Sequence, residues 1–432
     1  MKKFSLFCLL ACLSAFSEAQ LLMDMVDTSK EIGRGMLLIY KKFDNVRMGG
    51  YMQPQFQFAS SKGAKSYIGG DFAPNVNNRF MLRRGRIRVD YIHFSESKGP
   101  SIQFAFQFDG TERGVAIRDF WGRLYENRLQ VFSFTAGMFA RPISYELNLS
   151  SSDRETPERG RMSQILMKTE RDLGAMVSFE PRKRDHPLQF FKLDVGLFNG
   201  QGLAAAADFD SHKDLIGRLS IKPLPLTGRS TLSAAVSCLN GGLIQNTKYI
   251  YHTKTVGGLK AWMVDSSSSN QNRIAPRKYY GADIQYKIKT RAGYTELRAE
   301  YLAGRQTATS ASSETPAALL TGNDGYYIRN FNGAFFYLLH HVVNSHHQLV
   351  IKYDWYDPNS KVSGDEIGKT GSALNLADIK FSTFTVGYNY YIDNNVKLMI
   401  FYDKVNNEKT SLPGYISDVK DDIFTCRLQF RF

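Results

Sequence analysis

The feature that most constrains the fold is a two-residue alternation of apolar and polar side chains, which is clearest at the C-terminus. In IFTCRLQFRF, residues 423–432, every second position from Phe424 to Phe432 is apolar, and Thr425, Arg427, Gln429 and Arg431 lie between them. This period predicts a β-strand whose two faces have different surroundings. In a soluble protein the phenylalanine face would be exposed to water, whereas in a membrane-spanning barrel it would face lipid.

The same alternation recurs along the chain and predicts sixteen strands. For example, Phe104, Phe106 and Phe108 alternate with Gln107 and Asp109. An even number of strands is the rule in single-chain bacterial barrels. The predicted strands are 51–58, 79–96, 101–109, 115–125, 129–140, 171–180, 189–199, 213–222, 230–240, 278–289, 293–302, 328–338, 347–356, 380–391, 396–405 and 422–432.

The connections between these strands favour an all-β fold, a 16-stranded antiparallel transmembrane β-barrel. They are short after every second strand and long after most of the others, as in 59–78, 140–170, 241–277 and 303–327. Short periplasmic turns that alternate with long external loops are typical of such barrels, and sixteen strands leave an aqueous channel. Fourteen or eighteen strands remain alternatives, because strand boundaries read from one sequence err by several residues.

The N-terminus predicts export. Lys2 and Lys3 precede an apolar run over 4–16 that is too short to span a bilayer, and small residues for cleavage follow at 17–19. We expect a signal peptide over 1–19, a pre-barrel periplasmic segment over 20–48 and the barrel over 49–432, located in a bacterial outer membrane. A lipoprotein site ending at Cys12 is the alternative. Cys238 and Cys426 remain after cleavage, and we expect both thiols to be free.

Charge and motifs narrow the partners and activities. The formal net charge is +14, and because the predicted leader holds two lysines and one glutamate, the mature charge is +13. This balance indicates anionic partners, among which export argues against nucleic acid. No nucleophile, zinc-protease or phosphate-loop motif is present, so we expect no enzyme and no cofactor. We interpret the cluster His340, His341, His346 and His347 as a polar turn, with a metal site as the alternative.

The loop between the predicted strands 129–140 and 171–180 carries the first candidate site. It holds Arg154, Arg159, Arg161 and Lys168, with the carboxylates Asp153, Glu155, Glu158 and Glu170 among them. We expect this third loop to fold into the lumen, where the four basic residues would form an anion constriction. Rings of Arg and Lys make anion pores, and the guanidinium fork matches phosphate oxygens. A solvated external loop of mixed charge is the alternative.

The second candidate site is a basic track on the lumen wall. Arg84, Arg86 and Arg88 share one face of the strand 79–96, and Arg218 faces the lumen from 213–222. These arginines form either a series of weak anion sites or ion pairs with inward carboxylates such as Asp90 and Asp109. Glu296, Glu300, Asp283 and Asp354 are also expected to point inward, so the predicted lumen has mixed charge.

Strict alternation places Arg83 on the lipid side of the same strand. An arginine at the middle of the membrane would cost roughly 2–4 kcal/mol, and the cost falls towards the interfaces. We therefore predict that Arg83 lies at the outer rim.

Several motifs resemble the phosphate-selective porin O and P family. They are Arg84-x-Arg86, IRDFW at 117–121, AGMFARPISYE at 136–146, Ser150-Ser151, Glu158-Arg159, RDLG at 171–174, LFNG at 197–200 and GYNYYIDNNVKL at 387–398. The resemblance covers most of the predicted mature chain and is most specific over 80–200. It implies a trimeric sixteen-stranded outer-membrane porin that passes anions through a basic constriction. The carboxylates among the third-loop arginines depart from the clustered basic residues on which phosphate selectivity rests in that family.

The sequence therefore predicts an outer-membrane porin that prefers anions, with phosphate or polyphosphate as candidate substrates. Its expected partners are small anions, outer-membrane lipid, two further copies in a homotrimer, and the barrel-assembly machinery, which would recognise the terminal Phe432. A non-specific diffusion porin for small hydrophilic solutes is the alternative. A surface adhesin or a barrel enzyme is the third hypothesis, and an enzyme would need a Ser/His pair on the outer rim.

Overall fold

A computed structural model describes residues 45–95 and 99–432, and in this part of the chain sixteen antiparallel strands close into a barrel. Each barrel strand pairs with its neighbours in sequence, and the first strand also pairs with the last, which closes the barrel. The barrel strands are β1 (Val46–Ala59), β2 (Asn78–Ser95), β3 (Gly99–Thr111), β4 (Gly114–Tyr125), β5 (Phe132–Ala140), β6 (Arg171–Phe179), β7 (Phe191–Phe198), β8 (Asp214–Pro225), β9 (Ser230–Ile244), β12 (Ile274–Thr290), β13 (Gly293–Ala308), β14 (Tyr326–His341), β15 (His347–Asp357), β16 (Phe381–Tyr391), β17 (Val396–Asn407) and β18 (Ile423–Arg431).

The predicted strand count is confirmed, and the barrel begins at Val46, three residues before the predicted start. The predicted leader and residues 20–44 lie outside the described residues. Connections are long after the odd-numbered barrel strands in both halves, as predicted, except that only residues 112–113 join β3 to β4. Within the described chain, no helix is both long and apolar enough to cross a membrane.

An external hairpin was not predicted. It is formed by β10 (Ile250–Val256) and β11 (Leu259–Asp265), in the connection between β9 and β12. Its first strand pairs in parallel with the start of β14, and the rings of Tyr251 and Tyr327 stack with centroids 4.2 Å apart. Three short 3-10 helices, Ser268–Asn270, Gly364–Glu366 and Leu376–Asp378, also lie in external connections.

The two faces of each strand differ as the alternation predicts. On β18 the outward Phe424 and Phe430 are 36% and 39% exposed, whereas the inward Thr425 and Arg427 are 0% and 1% exposed. Phe432 closes this edge, since its backbone N–H donates to Gly50 O (3.0 Å) and its carbonyl accepts from Gly50 N (3.1 Å). Cys238 and Cys426 are both free, as predicted.

The third loop, residues 141–170, lies inside the barrel, which confirms the predicted inward fold. It contains two short helices, α1 (Tyr145–Asn148) and α2 (Arg161–Leu166). The apolar residues of these helices pack against inward-facing apolar side chains of the wall and form a buried core. The core includes Ile143, Leu147, Met162, Ile165, Leu166, Phe198, Ile216, Leu239, Tyr279 and Phe331. The lumen is therefore not uniformly polar, because the loop needs an apolar surface on which to bury its own helices.

A β-bulge corrects the predicted position of Arg83. In the pairing of β1 with β2, Met52 opposes Gly85 and Pro54 opposes Leu82, so Gln53 opposes both Arg83 and Arg84. An extra residue in one strand shifts the alternation by one position, and Pro54, which lacks a backbone N–H, suits such a site. Arg83 consequently points into the lumen beside Arg84 rather than towards lipid at the outer rim.

A second bulge has the same effect on β4. Gln107 of β3 opposes Asp119, whereas Phe108 opposes Ile117, so Arg118 is the extra residue. Ile117 and Phe120 are exposed on the outer face. Arg118 and Asp119 both face the lumen, where their side chains form ion pairs.

Candidate functional site

The backbone of the third loop is held against the lumen wall by side chains from several strands. Ser151 O accepts from the Gln53 amide (3.0 Å), and Arg154 O accepts from Lys397 Nζ (3.0 Å). Glu155 O accepts from Asn389 (2.9 Å), and Pro157 O accepts from Arg427 (2.6 Å). Polar side chains on β1, β16, β17 and β18 thus fix residues 151–157, a stretch without helix or strand, across the lumen.

Two carboxylates fix the helices of the loop. Oε2 of Glu300, on β13, accepts from the backbone N–H of Tyr145 (2.9 Å) and of Glu146 (3.3 Å) at the start of α1. Glu146 accepts from Gly160 N (3.0 Å), Ser163 Oγ (2.5 Å) and Tyr337 Oη (2.8 Å). Glu146 therefore joins both helices of the loop to β14, and Glu300 has the inward orientation that the alternation predicted.

Glu158 is the most heavily bonded carboxylate of the loop. It accepts from Arg83 Nε (2.9 Å), from Arg84 Nη1 and Nη2 (3.1 and 2.7 Å), and from Arg427 Nη2 (2.7 Å). Its side chain is 3% exposed. Burial alone would raise the pKa of Glu158, but the three guanidinium groups hold this pKa well below its usual range. Glu158 is therefore ionised and couples the loop to β2 and β18.

A continuous ladder of alternating charge runs along the wall formed by β2, β3, β4 and β6. Arg88 contacts Asp90 (2.6 Å) and Asp119 (3.7 Å), and Asp119 contacts Arg171 (2.9 Å). Arg171 approaches Glu170 (3.6 Å), at the end of the third loop.

The ladder continues from Glu170 towards the external side. Glu170 pairs with Arg118 (2.6 Å) and also with Arg159. Arg118 lies 4.0 Å from Asp109, which pairs with Arg86 (2.9 Å). Burial would raise the pKa of Glu170, but the surrounding arginines hold it well below its usual range. Glu170 is therefore ionised where it contacts Arg118, Arg159 and Arg171.

The four wall arginines singled out from the sequence all pair with carboxylates. Arg84 pairs with Glu158, Arg86 with Asp109 and Arg88 with Asp90, while Arg218 lies 2.7 Å from Asp283. These contacts match the ion-pair interpretation of the wall, including the two partners, Asp90 and Asp109, that the sequence suggested. Only Arg88 keeps a large exposed fraction, 36%, towards the lumen.

The four third-loop residues singled out from the sequence are not brought together in one ring. Arg159 pairs with Glu170 and donates to Glu146 O (2.9 Å), inside the loop. Lys168 is exposed and pairs with Glu314 (2.7 Å). Arg154 is 1% exposed, and its three side-chain nitrogens have no hydrogen-bond partner among the described residues. Burial, with the nearby charges of Arg159 and Arg84, lowers the pKa of Arg154 to about 9.

Arg161 differs from the other three, because its guanidinium lies over aromatic rings. Its Cζ is 3.6 Å from the Phe381 ring centroid and 4.8 Å from that of Tyr67. Its Nε is buried without a hydrogen-bond partner in the described chain. Cation–π contact stabilises the charge without neutralising it.

Above the third loop, a vestibule of about 970 Å³ opens between the loop and the external connections. Nine basic and six acidic side chains line it, which gives the lining a net charge of +3. The basic residues are Lys62, Lys65, Arg83, Arg84, Arg86, Arg118, Arg159, Arg161 and Lys168, and the acidic residues are Asp71, Asp109, Glu158, Glu170, Glu314 and Asp421. A concave site lined predominantly by one sign of charge concentrates ions of the opposite sign.

Arg83 and Arg118 are lumen residues that strict alternation missed. Both belong to adjacent charged pairs, Arg83-Arg84 and Arg118-Asp119, inside strands that otherwise alternate. Two neighbouring charges in a membrane-spanning strand are themselves a signal for a bulge, because one of them would otherwise face lipid. The neighbouring residues in the sequence do not indicate which carboxylates Arg83 and Arg118 pair with in the folded protein.

The histidines of the β14–β15 turn have separate partners. His340 Nδ1 lies 2.8 Å from Thr295 Oγ1, His346 Nδ1 lies 2.5 Å from Tyr391 O, and His347 Nδ1 lies 2.5 Å from Tyr388 Oη. In the described part of the chain, no group of three or more His, Cys, Asp or Glu residues is arranged to hold a metal ion.

Comparison with solved structures shows the porin fold. OprB of Pseudomonas putida is 8% identical, with a TM-score of 0.57 over 93% of this chain and 97% of that one. The outer-membrane channel DcaP of Acinetobacter baumannii (13% identical) and OmpF of Salmonella typhi in complex with daunomycin (9% identical) both have a TM-score of 0.53, over 90% of this chain and 97% of theirs. No family model and no curated protein sequence matches the chain.

Proposed function

We propose that this porin-fold chain is an outer-membrane channel for passive diffusion that prefers anions. The observation that carries the proposal is the net charge of +3 on the vestibule lining. An anion that approaches from the external side meets this field first, and its local concentration rises before it reaches the ladder. The proposal includes a cleaved leader, a homotrimer, contact with outer-membrane lipid and assembly through Phe432, as the sequence predicts.

The ladder suits passage because its charges are already paired. A permeating anion contacts Arg118, Arg171 and Arg88 in turn. When it moves on, each arginine still has its carboxylate partner. Binding at each step is therefore weak, which conduction requires. Phosphate is the candidate substrate that the family resemblance implies, and Arg88, whose side chain is 36% exposed, is the ladder arginine most open to it.

Current recordings in planar bilayers test the preference for anions. In a potassium chloride gradient we expect the reversal potential to have the same sign as the equilibrium potential of chloride. A reversal potential of the opposite sign contradicts the proposal. Inorganic phosphate added to one side tests the finer claim, since a phosphate-selective channel shows reduced chloride current at millimolar phosphate.

A non-specific diffusion channel is the second candidate, and the carboxylates within the ladder favour it. Four acidic residues, Asp90, Asp109, Asp119 and Glu170, alternate there with arginines. This alternative predicts a reversal potential near zero and no effect of phosphate on the current.

A further inference from the structure

The vestibule has two chemically different parts. The arginines of β2, β4 and the third loop form one part. The other part is apolar and comes from the external connections, from α2 and from the first residue of β16. It includes Tyr67, Ile165, Leu376, Ile379, Phe381 and Tyr415. A channel that passes only small inorganic ions has no need of an apolar surface in its vestibule, whereas ligand sites combine apolar walls with a few polar groups.

Arg161 lies where the two parts meet. Seven of the nine basic lining residues form ion pairs within 4.0 Å among the described residues, and Lys62 and Arg161 do not. Lys62 is exposed to solvent. Arg161 instead lies against Phe381 and Tyr67, so an unpaired guanidinium and an aromatic surface are adjacent in the same cavity.

We propose that the vestibule binds organic anions that carry an aromatic or similar apolar group, with the anionic group on Arg161 and the apolar group against Tyr67 and the exposed side chain of Leu376. The inference deepens the proposed function, on which it rests, by naming a substrate class. The guanidinium edge offers two parallel N–H donors to a carboxylate. Arg161 forms no ion pair within 4.0 Å among the described residues, whereas Arg84 and Arg86 already hold carboxylates.

Block of chloride current by benzoate and by acetate tests the proposal. The two probes carry the same charge and the same carboxylate, and only benzoate has a ring. We expect half-block by benzoate at a concentration about tenfold lower, which corresponds to burial of roughly 55 Å² of apolar surface. Neutral benzamide, which has the ring but no negative charge, is expected not to block. Equal block by benzoate and acetate in the unmodified channel overturns the proposal.

Three variants assign the two contacts. Arg161→Met should weaken benzoate block about tenfold, and Leu376→Asn, at a side chain that is 45% exposed, should reduce the benzoate-to-acetate ratio. Lys65→Met removes the same charge from the same cavity at a side chain that is 77% exposed, and should leave the concentration of benzoate for half-block unchanged. An equal loss in Lys65→Met and Arg161→Met would show a general charge effect and contradict the role of Arg161.

The reversal potential separates the two proposals. A channel that prefers anions but is blocked equally by benzoate and acetate leaves the proposed function intact and overturns only the substrate class. A channel that prefers cations overturns the proposed function itself.

Discussion

Replacement of Glu158 by glutamine should release the third loop from the wall. The carboxylate accepts hydrogen bonds from three arginines, and a glutamine offers one oxygen and presents an NH2 group to guanidinium donors. Glu158 is 3% exposed, and Arg84 and Arg427 are 8% and 1% exposed. Loss of one partner from a buried ion pair costs roughly 3–5 kcal/mol, because the remaining charges stay buried.

Hydrogen exchange of the loop amides measures this loss. The amides of Arg154 and Gln164 donate to carbonyls inside the loop, so they exchange when the loop opens. If this free energy is lost from the loop alone, hydrogen exchange over 150–166 should accelerate by about 100- to 4,000-fold, since each 1.4 kcal/mol is tenfold.

Glu314→Gln is the matched control. It removes one negative charge from the same vestibule, but Glu314 pairs with Lys168, whose side chain is 59% exposed. An exposed pair contributes about 0–1 kcal/mol, so exchange should change less than tenfold. Both variants should strengthen anion preference, because the net charge of the lining rises from +3 to +4. Unchanged exchange in Glu158→Gln would refute the role of Glu158 as the anchor of the loop.

Three further predictions concern single side chains and pH. Arg154→Met should leave the denaturant midpoint unchanged or raise it, because Met replaces a buried guanidinium without partners in the described chain; a loss above about 2 kcal/mol would reveal a partner. Arg84→Met should lower the midpoint, since Glu158 stays buried and loses a ligand. Burial, with Asp418 and Asp422, outweighs the opposing charge of Arg161 and raises the pKa of Asp421 to about 6. The carboxyl is therefore neutral below this value, and anion preference should rise between pH 7 and pH 5 in the unmodified channel but not in Asp421→Asn.

The pKa of Glu158 is shifted in the opposite direction from that of Asp421. Its pKa lies well below the usual range in the folded protein, so its ion pairs stabilise the fold at neutral pH and are lost only as pH falls through that depressed value. The predicted change between pH 7 and pH 5 therefore comes from Asp421 and not from the anchor of the third loop.

The sequence by itself determined the strands and their faces. Alternation is a local property, because each side chain points opposite to its neighbour, so β18 and fifteen other barrel strands follow from the residues within each segment. The same argument oriented Glu300 and Arg86 correctly. It failed at Arg83, where one inserted residue reverses the faces, and strict alternation would misplace Arg118 for the same reason. The adjacent charges at both positions are a local signal of the bulge.

Only the tertiary structure decided which charges remain available. The sequence shows that Arg154, Arg159 and Arg161 share a loop, but not that one is buried without a partner, one is paired with Glu170 and one lies against Phe381. Ion pairs join residues as distant in sequence as Arg427 and Glu158, and their formation depends on how the loop folds against strands far away in the chain. A charge is recognisable from its residue type, whereas its compensation depends on the distances that the closed barrel sets.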